Sequence, residues 1–301
     1  MSANRELKRP IAVGVDVGAT RLRLTAVDGE RTVARLVIAV SRIVDVNRFL
    51  QFTWKNREWN RRNVGALVVA TRGIWTPRER RALASRLAPL ASRVEVLSDA
   101  QAALLGALGA ERPGLLVLAG TGSIVIGRDP RGRWARAGGL GPLLGDEGSA
   151  FWIGREWLRA TPRGEDFLPI RRLVTRPDAV PRIAALAPSV LRRARRGDRR
   201  ARLIVREAQA HLARLAVDVA RRLRLPPPVA VSWAGGVMDD PGFRDGVKRA
   251  VARNALSTRW IPPAAEPVAA AVALAQRVAR ILTPRRSEQS GKAGAPLDRV
   301  L

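Results

Sequence analysis

Apolar runs and helical periodicities alternate along the chain, and they do so twice in the same order. Residues 11–17 form an apolar run bounded by Gly18. Residues 21–27 alternate polar and apolar positions (Arg21, Leu22, Arg23, Leu24), and 31–40 carry β-branched residues. Period-two alternation predicts strands, and the small residues Gly18-Ala19-Thr20 between the first two predict a hairpin tip. Residues 42–57 then place Ile43, Val46, Phe49, Leu50 and Trp54 at helical spacing. A short buried strand is expected at 65–71 and another at 94–97. Between them Pro77 opens a helix reaching about residue 90, because proline is tolerated in a first turn. Ser98 is placed to cap a helix over 99–108.

The second copy starts near Gly114. An apolar run at 114–119 leads into Gly120-Thr121-Gly122-Ser123, a strand at 124–128 and a third at 133–137. A glycine-rich loop, 138–148, precedes a helix at 149–159. Arginine-rich helical sequence follows to about residue 225, with breaks expected near Pro177, Pro188 and Gly197. Pro226-Pro227-Pro228 ends it. A buried strand is expected at 229–233, then the turn Gly235-Gly236, a helix at 241–253 and a small-residue helix at 266–282. The pattern predicts an α/β protein with two copies of one domain and a cleft between them. The expected boundaries are 1–110 for the first, joined by the helix at 266–283, and 111–265 for the second. Residues 284–301 are polar and expected to be disordered.

Composition narrows the chemistry. No apolar run reaches 18 residues, so no membrane helix is expected, and the apolar run at 11–17 is too short and too acidic for a signal peptide. With no cysteine, thiolate metal sites, iron–sulfur clusters and cysteine nucleophiles are excluded. A cytoplasmic location is the default. The net charge is +28, and all but Lys8, Lys55, Lys248 and Lys292 of the 54 basic residues are arginine. A field of that size attracts polyanions. The excess is spread over both halves, however, and its one dense run, Arg192 to Arg200, lacks the interleaved aromatics of a single-strand platform. A nucleic-acid partner is therefore not expected.

The two hairpin tips carry the first chemical signal. Glycine lets a backbone approach closely and leaves N–H groups to cradle an anion. One such turn is an ordinary hairpin; a pair at equivalent places in a duplicated fold would clamp a polyphosphate from both sides. Asp16 lies inside an apolar strand, where a carboxylate needs a partner or a metal. Asp99 can be a helix cap or a functional acid. Asp146 and Glu147 lie between glycines ahead of a helix, which suits either a helix start or a ligand loop. The single histidine, His211, reads as a mid-helix residue with no metal role, and Trp152 and Trp157 read as core. Trp54 and Trp59 are left open as residues near the cleft.

These motifs carry a resemblance. Asp16-Val17-Gly18-Ala19-Thr20 resembles the first phosphate motif of the actin, Hsp70 and sugar-kinase superfamily, whose domains are ribonuclease H-like. Leu118-Ala119-Gly120-Thr121-Gly122-Ser123 resembles the second, and Trp233-Ala234-Gly235-Gly236-Val237 its adenosine motif. Gly138 to Gly154, with Gly145-Asp146-Glu147-Gly148 at its centre, closely resembles the signature of N-acetylglucosamine kinases and the related BadF/BadG/BcrA/BcrD-type ATPases. Leu97-Ser98-Asp99-Ala100 matches the position of their catalytic aspartate.

The resemblance implies an ATP-dependent phosphotransferase acting on an amino sugar such as N-acetylglucosamine or glucosamine, with Mg²⁺. It implies that Asp16 holds the Mg²⁺ through water, and that Gly18, Ala19 and Thr20 approach the phosphates from one side. Gly120, Thr121, Gly122 and Ser123 approach from the other, Gly235 and Gly236 face adenosine, and Asp99 is the base. Leu140, Gly145, Asp146 and Glu147 would meet the sugar; Leu140 stands where kinase-type members usually carry an aromatic. The alternative is a sugar-independent ATPase acting as a switch or activator with a protein partner. A homodimer is left open. The dehydratase-activating branch needs cluster-bridging cysteines and is excluded by their absence.

Overall fold

A computed structural model describes residues 10–18, 21–40, 45–109, 112–160, 167–265 and 267–282. Ala19, Thr20, the start of the predicted first helix at 42–44 and the tail 284–301 lie outside the described residues.

The first half is a five-stranded sheet built from β1 (Ile11–Val17), β2 (Arg21–Asp28), β3 (Arg31–Ala39), β4 (Val64–Thr71) and β5 (Arg93–Ser98), in the order β3-β2-β1-β4-β5. The second half repeats it with β6 (Gly114–Ala119), β7 (Ser123–Arg128), β8 (Trp134–Gly138), β9 (Val229–Ala234) and β10 (Thr258–Trp260), in the order β8-β7-β6-β9-β10. In both sheets the first three strands are antiparallel neighbours and the last two pair in parallel. The duplication read from the chain is thus a repeated topology.

Alternation along β1 sorts its side chains onto two faces. Ile11, Val13, Val15 and Val17 pack with Leu50 and Trp54 of α1 (Val46–Asn56) and with Leu87 of α2 (Pro77–Leu87). Ala12 faces the opposite way, onto Ala271, Val272 and Ala275 of α10 (Pro267–Leu282). Gly14 shares that face. A Cβ there would meet the backbone N of Val272, so glycine lets the helix lie directly on the strand. Burying each valine of this contact contributes roughly 1.5–3 kcal/mol. Between the sheets runs α3 (Asp99–Leu108), whose Leu104, Leu105 and Leu108 pack with Leu116, Ile124 and Ile126 of the second sheet. The outer face of that sheet is covered by α4 (Ala150–Ala160), α7 (Ala187–Arg195), α8 (Arg199–Leu223) and α9 (Pro241–Arg253). Two short helices, α5 (Phe167–Val174) and α6 (Ala179–Ala184), complete the insertion.

Several sequence expectations shift. The first helix begins at Val46, because Asp45 caps it by accepting from the amides of Asn47 and Arg48. Pro89 ends α2 early, and residues 88–90 form a single 3₁₀ turn. The breaks expected near Pro177, Pro188 and Gly197 are present, Pro188 itself sitting in the first turn of α7. Strand β10 was not foreseen. It has three residues, none of them buried, and so leaves no periodic signature. Trp54 and Trp59 pack on the outer side of the first sheet rather than near the centre, Trp54 donating its indole N–H to Leu90 O at 2.7 Å.

Candidate active site

Parallel strands bring the candidate groups of the first half to one edge. Val17, Thr71 and Ser98 occupy one cross-strand row through β1, β4 and β5. The residues that follow them, Gly18, Arg72 and Asp99, therefore emerge at the same edge of the sheet. Gly18 closes the first hairpin by donating its N–H to Arg21 O at 3.0 Å. Asp16 shares the Ala12 and Gly14 face, turned toward the second half. Its carboxylate is buried and accepts from Arg23 Nη1 at 3.3 Å.

Asp99 is not the cap of its helix. Ser98 takes that role, its hydroxyl accepting from Gln101 N while Gln101 reaches back to the Ser98 amide. With the capping requirement already met, the Asp99 carboxylate accepts from the neighbouring Ala100 amide at 2.8 Å. Burial pushes its pKa up, opposed by the Ala100 amide and the positive charge of Arg72. Nothing in the spacing of the sequence pointed to Arg72; strand register alone brings it alongside.

The second tip is clasped from three directions. The first amides of α4, Ala150 and Phe151, donate to Gly120 O at 2.8 Å and Thr121 O at 3.2 Å. Gly139 N donates to Ser123 O at 2.9 Å, and the Ser123 hydroxyl donates to Glu147 O at 2.8 Å. Gly235, at φ +93°, lies so close that a Cβ would sit 2.5 Å from Ala119 O, and Val237 N donates to that same oxygen at 3.0 Å. Only glycine satisfies both that backbone conformation and that approach. Gly236, by contrast, is exposed and a Cβ there would meet nothing within 4 Å. Held this way, the tip keeps the amides of Thr121 and Gly122 without a hydrogen-bond partner among the described residues. Adjacent unpartnered N–H groups at a fixed turn form an anion nest.

Asp146 lies against this tip. Its carboxylate oxygen is where a Cβ on Gly122 would come within 2.8 Å, and it accepts from Ser123 N at 3.3 Å. Asp146 is only 7% exposed and has left-handed backbone geometry, φ +61°. Burial raises its pKa; the Ser123 amide works against that, while the negative charge of Glu147 adds to it. Leu140 packs against Gly145 and is exposed, as are Leu143 and Leu144. His211 of α8 sits edge-on to Trp152 and close enough for the charge of Glu147 to act on it. Burial and Arg214 lower its pKa. That proximity spans more than sixty positions of chain and left no mark in the sequence. Trp152 is core, as expected, and Trp157 packs at the margin of the same cluster. Among the described residues no group of three or more histidines and carboxylates could hold a metal by itself.

Two raised carboxyl pKa values give a stability prediction. Above the ordinary value near 3.9, the folded state holds the Asp99 and Asp146 protons more tightly than the unfolded chain does. Stability therefore falls as pH rises through that window. Asp99→Asn and Asp146→Asn, made singly, are each expected to melt at a higher temperature than wild type at about pH 7, the gap closing as pH falls toward about 4. Thermal scans across that range check it; a gap that widens on acidification contradicts the assignment.

Fold and site together define a duplicated α/β architecture of the actin-like and sugar-kinase kind, with a nest and an acidic loop in its second half. Residues 13–275 match the BadF/BadG/BcrA/BcrD ATPase family, and the chain belongs to it. Over 173 residues it is 32% identical to an N-acetylmuramic acid/N-acetylglucosamine kinase of Clostridium acetobutylicum, an alignment covering 50% of this chain and 56% of the relative. The chain thus spans about half the length of the curated relatives it matches. Its fold is also that of two candidate N-acetylglucosamine kinases of known structure. The one from Porphyromonas gingivalis superposes with a TM-score of 0.63 at 20% identity, covering 90% of this chain and 100% of that one. The one from Chromobacterium violaceum gives 0.62 at 22% identity, covering 89% and 99%. No helix among the described residues is long and apolar enough to cross a membrane.

Proposed function

We propose that the protein is an ATP-dependent kinase that phosphorylates a hydroxyl of an amino sugar, in the cytoplasm where ATP is at hand. The observation that carries this is the nest at Thr121 and Gly122, fixed by α4, Asp146 and Gly235, in a chain whose other half presents Asp99 at the equivalent edge. The two lobes are residues 1–110 with the closing helix 266–283, and 111–265. Phosphoryl transfer needs positioning and charge stabilisation more than covalent chemistry. The second tip holds the phosphates through its amides, and Gly18 with Ala19 and Thr20 approaches from the opposite lobe. Asp99, released from capping by Ser98 and raised in pKa, accepts the proton of the attacking hydroxyl. Asp146, Glu147 and the face of Leu140 and Gly145 meet the sugar.

Magnesium fits the donor chemistry. Asp16 offers one buried carboxylate, paired with Arg23, which suits an ion that arrives on the phosphates and keeps most of its water. When bound, the ion would neutralise charge on the transferring phosphate.

A coupled ADP-release assay tests the proposal, with ATP, Mg²⁺ and a panel of glucosamine, N-acetylglucosamine, N-acetylmuramic acid, glucose and a blank. Release stimulated by one amino sugar supports it; the same release in every tube, blank included, favours a sugar-independent ATPase. Gly236 offers a second check. Because a side chain there meets open space, Gly236→Val should leave the melting temperature unchanged and weaken ATP binding by on the order of tenfold or more, about 1.4 kcal/mol. Unaltered ATP affinity would take adenosine away from this turn.

A further inference from the structure

A groove of about 610 Å³ runs between the end of α7, the first half of α8 and α9. Arg195, Arg202 and Arg206 line one wall, Arg249 and Arg253 the other; the one acid is Asp240, already held by Arg195 at 2.5 Å. None of the residues around it belongs to the hairpin tips, the acidic loop or the Gly235-Gly236 turn. A high arginine content alone would put some arginine in any groove. Here, though, it makes up five of thirteen lining residues against 50 of 301 in the chain, so the groove is enriched.

The arginines are also under-committed. Arg202 donates Nε to Ala194 O at 3.1 Å, while Arg206 and Arg253 make no hydrogen bond or ion pair among the described residues. On a convex surface such groups would be solvated and unremarkable. In a concavity they repel one another, and a bound anion relieves that repulsion. The floor is closed. Gly246 lies against the Gln209 side chain, and Gln209 is fixed by donating to Phe243 O at 3.3 Å. Phe243 is buried, so the groove shows no aromatic face on which a base could stack. Its volume falls in the range of small-molecule sites.

We infer that this groove binds a free linear oligophosphate, recognised by forked guanidinium contacts to phosphate oxygens on both walls. Five cations against one paired acid call for a ligand of several negative charges, and the missing aromatic face favours phosphate without a base. The inference does not depend on the kinase proposal.

Calorimetric titration of the full chain with inorganic tripolyphosphate, the nucleotide site saturated by a non-hydrolysable ATP analogue, tests it. One tripolyphosphate is expected to bind, with orthophosphate far weaker. Losing two charge-assisted contacts in Arg206→Glu/Arg253→Glu should weaken it by on the order of 100-fold. An equal charge change on the distant strand β3, Arg31→Glu/Arg35→Glu, should cost no more than about twofold, since exposed charges beyond a Debye length are screened. Should the first variant fail to fold, Arg206→Gln/Arg253→Gln carries the same comparison with a smaller loss. Equal losses in the groove and β3 variants would reduce the effect to net charge and overturn the inference. So would competition between tripolyphosphate and the ATP analogue, or a single-stranded oligonucleotide that binds as tightly with the same variant loss.

Discussion

Asp99→Asn should bind ATP as wild type does and transfer its phosphoryl group roughly 10²–10⁴-fold more slowly, the contribution of one positioned base. The substitution keeps side-chain size and the oxygen that accepts from Ala100 N. The helix start is secured by Ser98 and Gln101, so the variant should lose little structure. This separates a chemical role from a structural one. Turnover should also fall in the wild type as pH drops through the raised pKa of Asp99, because the base must be ionised to act. Single-turnover measurements with saturating ATP read the chemical step directly. Full turnover in the variant would leave Asp99 without a role in proton transfer.

Asp146→Ala should lower ATP affinity and raise the sugar KM together. Were Asp146 only a sugar ligand, the sugar KM alone would move. Its carboxylate, however, lies against Gly122 and accepts from Ser123 N, within the tip that holds the two unpartnered amides. Truncation leaves the buried Ser123 amide without an acceptor, which costs about 1–3 kcal/mol, and frees Gly122 to shift. If half of that appears in nucleotide binding, affinity falls by roughly 2–12-fold. Asp146→Asn keeps an acceptor oxygen and should recover most of the ATP affinity but not the sugar KM. A variant pair that moves only the sugar KM would detach Asp146 from the phosphate tip.

Much of this arrangement was legible in the chain because its signals are local. Alternation in 21–27, the apolar run at 114–119 and the glycines of both tips each follow from a few consecutive residues, and β1 to β9 lie close to their expected places. The proposed pairing of the tips with Asp99 rests on order and resemblance. Hidden from the sequence were facts set by register and packing: Arg72 beside Asp99, His211 beside Glu147, and the contact of Asp146 with Gly122. None of these pairs has a fixed separation along the chain. Asp99 was ambiguous between cap and functional acid because both readings use the first turn of a helix. The structure takes away the cap reading, since Ser98 fills the cap.

Helix α10 has a bearing on how the molecule assembles. It lies on β1 at Gly14, and Gln276 donates to Gly29 O at 2.6 Å across a sequence separation of 247. The inner face of the first sheet therefore cannot be completed when its own strands have been made. At roughly 5–20 residues per second, the stretch from Ser98 to Pro267 takes on the order of ten to thirty seconds to synthesise. Through that interval Ala12, Ala66 and Val68, all of which end up beneath α10, stay uncovered. A closure between elements so far apart in the chain is expected to form more slowly than the local hairpins of the same sheet.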